Sequence, residues 1–339
     1  MYRISKKSID TLFSAIAGFS RLYMPVDKDT QAYYTEWKDG VSVSDKLNTT
    51  RSAKDFFFPQ TQNLMDFRVN GKTIEVIDNR TESEDFVLFG VRACDAASFD
   101  ILDRVFLSEP VDTYYKTRRE HGIVMTMACN APEETCFCGA FGIDPTVPGG
   151  DIACYQDTEW LYLDPKSEKG SALIEKLSDV VAECSDDGVK AIVEDINKIL
   201  KVLPLADFKP TDLTDKQLET FRSTEWASLS EACLGCGSCT FACPTCQCYD
   251  IKDFDTGSGI TRMRTWDSCM YSDFTKMAHG NPRISQLERF RQRFMHKLVY
   301  FPQNNDGVYG CVGCGRCLRQ CPISMNIVKV MKALGGDNK

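Results

Sequence analysis

The sequence contains two copies of one cysteine motif, C-x2-C-x2-C-x3-C-P, and this repeat limits the possible folds more than any other feature. The first copy comprises Cys233, Cys236, Cys239 and Cys243, and the second comprises Cys311, Cys314, Cys317 and Cys321. This spacing is typical of four-iron clusters, in which the fourth Cys usually ligates the other cluster. We therefore expect two crossed ligand sets. They are Cys233, Cys236, Cys239 and Cys321 for cluster 1, and Cys311, Cys314, Cys317 and Cys243 for cluster 2.

Zinc is the main alternative occupant of such a motif. A structural zinc site uses two C-x2-C pairs for each ion, and it does not need three evenly spaced Cys and a fourth before Pro, twice over. A disulfide framework is disfavoured because the chain is long and shows no sign of export. The spacing therefore favours iron–sulfur clusters.

The length and composition indicate a cytoplasmic protein of more than one domain. The chain has 339 residues, enough for two or three domains, and a formal charge of −8 that argues against nucleic acid as a partner. No apolar run approaches the roughly 20 residues that a membrane span needs. The N-terminus lacks the features of a signal peptide, so seventeen Cys indicate a reducing compartment and metal clusters.

The pattern of apolar residues predicts an α+β multidomain protein. We expect an N-terminal α/β domain over residues 1–205 and an α-helical ferredoxin-like domain with two clusters over residues 206–339. In the first, predicted helices cover 8–23, 96–106, 171–182 and 189–202. Predicted strands cover 86–91, 122–128 and, as an edge strand, 159–163, and a hairpin covers 67–78 with Asn70-Gly71 at its turn.

The second half begins after a predicted linker at 204–210. A helix is expected over 214–226, and the long insert between the two motifs, 244–310, has helical character with its best helix at 284–300. Cations decorate that helix: Arg289, Arg291, Arg293, His296 and Lys297. They form either a solvated face or a set that offsets cluster charge.

Four further cysteines follow the two predicted strands of the N-terminal half: Cys94, Cys129, Cys136 and Cys138. Loops that leave the carboxyl ends of parallel strands are where α/β domains place ligands. We therefore expect a third four-iron cluster on these residues, with zinc or four inert buried thiols as the alternatives. Cys154 and Cys184 are interpreted as structural, and no spacing rule assigns Cys246, Cys248 or Cys269.

Several stretches resemble one protein family. They are GVRACDAASFDILDRVF at 90–106, CFCG at 136–139, CLGCGSCTFACPTCQCYDI at 233–251, RTWDSCMYSDFTKMAHGNPR at 264–283, RFRQRFMHK at 289–297 and CVGCGRCLRQCP at 311–322. The chain resembles the four-iron dicluster subunits of cytoplasmic multi-subunit reductases. These include the A subunit of anaerobic sulfite reductase, the beta subunit of sulfhydrogenase and subunits of flavin-based transhydrogenases.

The resemblance implies a subunit that passes electrons between a flavoprotein subunit handling NAD(P)H and a further redox subunit. It implies no independent substrate chemistry, and it does not identify the terminal acceptor. The alternative is a catalytic reductase subunit that binds flavin in its N-terminal domain. The missing G-x-G-x-x-G motif disfavours that alternative. A structural scaffold with inert metal is a third hypothesis.

Overall fold

The computed structural model describes residues 1–46, 48–79 and 84–335. The strands in these ranges are β1 Tyr2–Ser5, β2 Arg21–Lys28, β3 Gln31–Glu36, β4 Thr61–Asn70, β5 Thr73–Asp78, β6 Phe86–Arg92, β7 Gly122–Met127, β8 Ile152–Gln156, β9 Trp160–Pro165, β10 Ala182–Glu183, β11 Tyr249–Asp255 and β12 Gly259–Trp266. The α-helices are α1 Ile9–Ala17, α2 Ala93–Phe106, α3 Thr113–His121, α4 Glu168–Lys176, α5 Asp187–Lys201, α6 Gln217–Arg222, α7 Glu225–Glu231, α8 Ser238–Phe241, α9 Gln286–Met295, α10 Phe301–Gln303, α11 Arg316–Arg319 and α12 Ile327–Gly335.

The larger sheet contains, within the described ranges, eight strands in the order β10-β1-β9-β8-β7-β6-β2-β3. The predicted parallel pair is present, since β6 and β7 run parallel with α2 and α3 between them. Every residue of β6 is buried, as expected of a parallel strand covered on both faces. This buried strand leads directly into α2, which places Cys94 at the edge of the sheet.

Apolar side chains cover both faces of this sheet. Val87 and Phe89 of β6 pack in a core with α1, whereas Phe86 and Leu88 pack in another core with α2. Alternate residues of a strand point to opposite faces, so the two cores lie on opposite sides of β6. The sheet is thus a rigid support for the loops at its edges.

Three predictions for the first half were wrong in detail. The first helix ends at Ala17, not at residue 23, because the chain turns at Gly18 and enters β2 at Arg21. Strand β9 is not an edge strand, since it lies between β8 and β1. The segment predicted as one helix over 171–182 ends at Lys176 and finishes as the short strand β10.

A smaller sheet joins the two halves of the chain. Its order within the described residues is β11-β12-β4-β5, and β12 pairs antiparallel with β4. The predicted hairpin is β4–β5, but Asn70 pairs with Thr73, so the two-residue loop is Gly71-Lys72 and not Asn70-Gly71. The insert between the two motifs begins with the hairpin β11–β12. The prediction of helical character was therefore wrong for this first part of the insert.

Helices dominate the rest of the second half. The predicted helix at 214–226 is broken into a 3-10 turn, α6 and α7. Helix α9 begins with a capping box between Ser285 and Glu288 and continues into a π-helical turn over His296–Tyr300. Trp226, Phe290 and Phe294 lie at the centre of the helical core. None of the described helices is both long enough and apolar enough to cross a membrane.

The pairing of β6 with β7 shifts register between Phe89 and Val91, and Gly90→Ala tests the bulge at this point. Gly90 has φ +77°, and a Cβ there would lie 2.9 Å from Pro25 Cδ. Gly40 is a matched control with φ +83° and open space around it. In both variants the free energy of unfolding should fall by about 1 kcal/mol, because Ala is disfavoured in a left-handed backbone conformation. Gly90→Ala should lose more because of the contact with Pro25. Thermal unfolding followed by circular dichroism measures the difference, and equal losses would contradict this account.

Candidate metal centres

Paired glycines shape both cysteine motifs. Gly235 and Gly237 have φ of +64° and +76°, and Gly313 and Gly315 have φ of +60° and +75°. The two loops therefore follow the same left-handed path before the short helices α8 and α11. This repeated geometry turns the thiols of each loop toward a common interior.

The first cavity brings together cysteines from both motifs. Its lining includes Cys233, Cys236 and Cys239 of the first motif together with Cys321 of the second. Met270, Phe290 and Phe294 form its apolar wall. Four thiols around one apolar cavity fit a four-iron cluster. Ligation of cluster 1 by these four residues stays a prediction.

The second set, Cys311, Cys314, Cys317 and Cys243, is more deeply enclosed. Cys243 and Cys314 are buried. The negative charge of Cys243, when ionised, raises the pKa values of the other three thiols. Burial raises the pKa of Cys311 to about 12 and raises that of Cys317 further. Burial therefore disfavours the thiolate form of these residues unless a metal or a cation stabilises it.

Two cations of the α9 segment lie among these thiols. Arg293 and Lys297 are only 3% and 5% exposed, so the solvated-face interpretation is wrong for them. Burial disfavours the charge of Lys297, but attraction to the sulfurs of Cys243, Cys246 and Cys311 outweighs it and raises the lysine pKa. Arg293 donates to the carbonyl of Cys239 (3.3 Å). These buried cations are therefore positioned to offset negative charge on the cysteine sulfurs.

A hydrogen-bond chain connects Lys297 to a predicted ligand. Lys297 Nζ donates to Thr245 Oγ1 (2.8 Å) and to the Gly310 carbonyl (2.8 Å). Thr245 Oγ1 lies 3.2 Å from Cys243 Sγ. The Thr245 hydroxyl also lies 2.8 Å from the Gly310 carbonyl oxygen, so its one proton is shared between that acceptor and the Cys243 sulfur. Hydrogen bonds to ligand sulfur change the reduction potential of a cluster. Thr245 is therefore positioned to influence the potential of a cluster bound by Cys243, and Lys297 holds Thr245 in place.

The third set also shares one cavity. Cys94, Cys129, Cys136 and Cys138 line it together with Cys314 of the second motif. Cys94 lies in the first turn of α2 instead of on the predicted loop, because the helix begins at Ala93. Burial raises the pKa of Cys136 to about 11 and that of Cys138 to about 12. The donor set fits a four-iron cluster, although ligation stays a prediction.

The third set adjoins the second through backbone contacts. The N–H of Phe137 donates to the Gly313 carbonyl (2.8 Å), and a Cβ at Gly313 would lie 2.4 Å from the Phe137 carbonyl oxygen. Asn48 Nδ2 donates to the Cys314 carbonyl (3.0 Å) and lies 3.8 Å from Cys136 Sγ. The two cysteine sets are therefore in direct contact.

A buried ion pair fixes the same junction. Arg316 of the second motif donates through both terminal nitrogens to the Asp95 carboxylate (2.6 Å each), and its Nε donates to the Thr49 carbonyl (2.8 Å). The side chains of Arg316 and Asp95 are 0% and 1% exposed. Sequence reasoning did not identify this pair, because neither residue belongs to a ligand spacing.

Other sequence-predicted residues lie elsewhere. Arg119, which lies in the connecting helix α3, does not reach the third set and pairs with Asp103 through two hydrogen bonds of 2.9 and 2.8 Å. Cys154 is buried in the sheet core, and Cys184 follows β10. Among the residues with described positions, no three or more His, Cys, Asp or Glu side chains are arranged to hold a single metal ion.

Comparisons with known proteins extend the resemblance beyond the motifs. Residues 232–325 match the family model described as 4Fe-4S dicluster domain. Over 321 residues the chain is 31% identical to the sulfhydrogenase 2 subunit beta of Pyrococcus furiosus, covering 94% of this chain and 93% of that relative. No solved structure gives a significant match. The likeness to the relative thus includes the N-terminal half.

Lys297→Met tests the charge-offset interpretation. Reduction adds negative charge, so removing this cation should make the midpoint potential of cluster 2 more negative. Lys329→Met, on an exposed position of α12, is the matched control and should leave the potential unchanged. Redox titration followed by electron paramagnetic resonance measures both variants. Equal potentials in the wild type and Lys297→Met would refute the interpretation.

Asp95→Asn tests the buried ion pair. It leaves the Arg316 charge without its partner, which should cost about 3–5 kcal/mol of unfolding free energy. The control is Asp103→Asn, whose pair with Arg119 is about one quarter exposed and should cost less. Anaerobic denaturant unfolding of the cluster-loaded variants gives both values. Similar losses in the two variants would show that burial of the Asp95 pair adds nothing.

Proposed function

Because the chain belongs to the family of four-iron dicluster electron-transfer subunits that includes the sulfhydrogenase beta subunits, we propose that it relays electrons between a flavoprotein subunit handling NAD(P)H and a further redox subunit. The dicluster domain implies two four-iron clusters, and the chain is an electron-transfer subunit of an oxidoreductase. The observation that supports the relay is that the second cysteine set contacts the third directly and is connected with the first through Arg293.

Contacts between the first and second sets support the order of the relay. Arg293 lies between them, since thiolates of Cys239 and Cys317 both raise its pKa against the effect of burial. The second set then contacts the third through Cys314, whose carbonyl accepts from Asn48. We infer the order cluster 1, cluster 2, cluster 3.

A four-iron cluster bound at each set would supply one-electron chemistry, and its potential would depend on burial, charge and hydrogen bonds to sulfur. The chain's own residues provide those conditions. Arg293 and Lys297 provide positive charge, Thr245 provides a hydroxyl next to Cys243, and apolar side chains exclude water. Cys236 is exposed, which gives the first set a route to the protein surface.

The finer assignments of the proposal follow from this organisation. We assign residues 1–205 to an N-terminal α/β domain with the third cluster, and residues 206–339 to the α-helical ferredoxin-like dicluster domain. The smaller sheet connects them through β12 and β4. A carrier of electrons needs a donor and an acceptor, so a flavoprotein and a second redox subunit are its proposed partners in the cytoplasm.

One cavity favours a second candidate function, a reductase subunit with its own flavin and substrate site. The cavity has a volume of about 760 Å³ beside α2, within the range of ligand pockets. Ala93 lines both this cavity and the third cysteine cavity. Arg119 also lines the larger cavity, but its guanidinium already donates to Asp103. Flavin released by denaturing the purified chain would favour this candidate, and flavin-free protein with reducible clusters would favour the carrier.

Iron content tests the third cluster. Fully loaded, anaerobically purified protein should contain about twelve iron atoms, as three four-iron clusters require. The double variant Cys136→Ala, Cys138→Ala should contain about eight, with the spectra of the other two clusters unchanged. The control Cys154→Ala should keep the wild-type content. A wild-type content near eight that the double variant does not change would mean a relay of two clusters.

Cys243→Ser tests the crossed ligand sets. Cys243 lies next to Cys311 and Cys317, and Cys321 lines the first cavity, so this variant should perturb cluster 2. Cys321→Ser should instead perturb cluster 1. Electron paramagnetic resonance of the two reduced variants distinguishes the clusters. If Cys243→Ser altered only cluster 1, each motif would hold its own cluster.

A further inference from the structure

The hairpin β11–β12 holds a pair of cysteines at its base. Cys248 precedes β11 and Cys269 follows β12, and the N–H of Asp267 donates to the Cys248 carbonyl (3.0 Å). The thiols of Cys248 and Cys269 are hydrogen-bonded to each other, and the Cys269 N–H also donates to Cys248 Sγ. Neither residue belongs to the three predicted ligand sets. Their contact is therefore a feature that the relay does not explain.

The two thiols differ in exposure. Cys248 is half-buried, whereas Cys269 is only 9% exposed. A half-buried cysteine next to a buried one is the arrangement of an attacking and a resolving cysteine.

Two buried lysines, Lys54 and Lys297, act on the charge of Cys248. Lys54 comes from the N-terminal half, is 1% exposed, and donates through Nζ to the carbonyls of Cys243 (2.8 Å) and Cys246 (2.9 Å). Its ammonium also lies 3.9 Å from the centre of the Trp266 ring. The hydrogen bond from Cys269 and then, against burial, the charges of Lys297 and Lys54 lower the pKa of Cys248 to about 7. Nearby cations make a thiolate available at neutral pH.

We propose that Cys248 and Cys269 form a redox-active thiol pair, which a small disulfide oxidises to an intramolecular disulfide. The Cys248 thiolate attacks one sulfur of R–S–S–R, so a Cys248–S–S–R bond forms and R–S⁻ leaves. Cys269 then gives up its proton, attacks Cys248 Sγ and expels the second R–S⁻. Overall, the two protein thiols lose two electrons and two protons, and the small disulfide becomes two R–SH molecules. A small thiol in excess reverses both steps.

The pair thereby provides a two-electron couple beside the second cysteine set. Closing the disulfide removes the Cys248 thiolate from the neighbourhood of Lys54 and Lys297. It also links the two ends of β11–β12, the hairpin that joins β4 of the N-terminal half. The redox state of small thiols would thus change the charge next to Cys243 without changing any predicted ligand.

The test uses full-length, cluster-loaded protein under anaerobic conditions with oxidised glutathione as the probe. After acid quenching and alkylation, peptide mass spectrometry should find Cys248 linked to Cys269, with two fewer alkylated thiols and unchanged iron content. Excess reduced glutathione should restore both thiols. Cys184→Ser is the matched control and should form the same link. Absence of the link, or a link between other cysteines, would overturn the proposal.

Cys269→Ser provides an independent measurement. Without a resolving thiol, the variant should retain one glutathione as a mixed disulfide on Cys248, and it should keep the wild-type iron content. Glutathione on a different cysteine would contradict the assigned order of attack. Loss of iron in Cys269→Ser or Cys248→Ser would instead identify these residues as metal ligands and overturn the thiol-pair proposal.

Discussion

The arrangement of the dicluster half depends on the attraction between two buried cations, Arg293 and Lys297, and the cysteine sulfurs around them. Each lies among cysteine sulfurs in a region from which water is excluded, and an uncompensated charge there would be very costly. Their positions come from one helix, since α9 and its π-helical extension carry both side chains into the space between the two motifs. The capping box that begins α9 and the aromatic residues that pack against it therefore stabilise the helix and also fix the positions of these two cations.

The junction between the halves follows from backbone approach. The loop before Cys138 lies so close to the second motif that any side chain at Gly313 or Gly315 would overlap it, and Arg316–Asp95 fixes the same contact by charge. These requirements fall on residues between the predicted ligands. A glycine in this motif thus has two functions, since it shapes its own loop and allows the third set to reach the second.

The repeated cysteine spacing was sufficient to predict a dicluster domain, because local chain geometry determines how three closely spaced thiols converge. The strand β6 and its parallel neighbour were also predictable from continuous apolar residues. The hairpin β11–β12 was not, since the sequence YDIKDFD of β11 is highly charged and its partner β12 is held on its other side by β4, in the first half of the chain. The contacts of Lys54 and Asn48 were missed for the same reason. A single buried Lys or Asn has no periodic signal, and tertiary structure alone brings it to Cys243 or Cys314.

These contacts divide the work of the chain between local and distant residues. The predicted ligands follow short spacings, whereas the charge beside them comes from residues of other elements: Lys54 from the first half and Asp95 from α2. The two halves can therefore not be separated without leaving buried charges unpaired. Lys54 and the Arg316–Asp95 pair both join the halves and lie beside cysteines, so the charge around those cysteines and the stability of the junction depend on the same side chains.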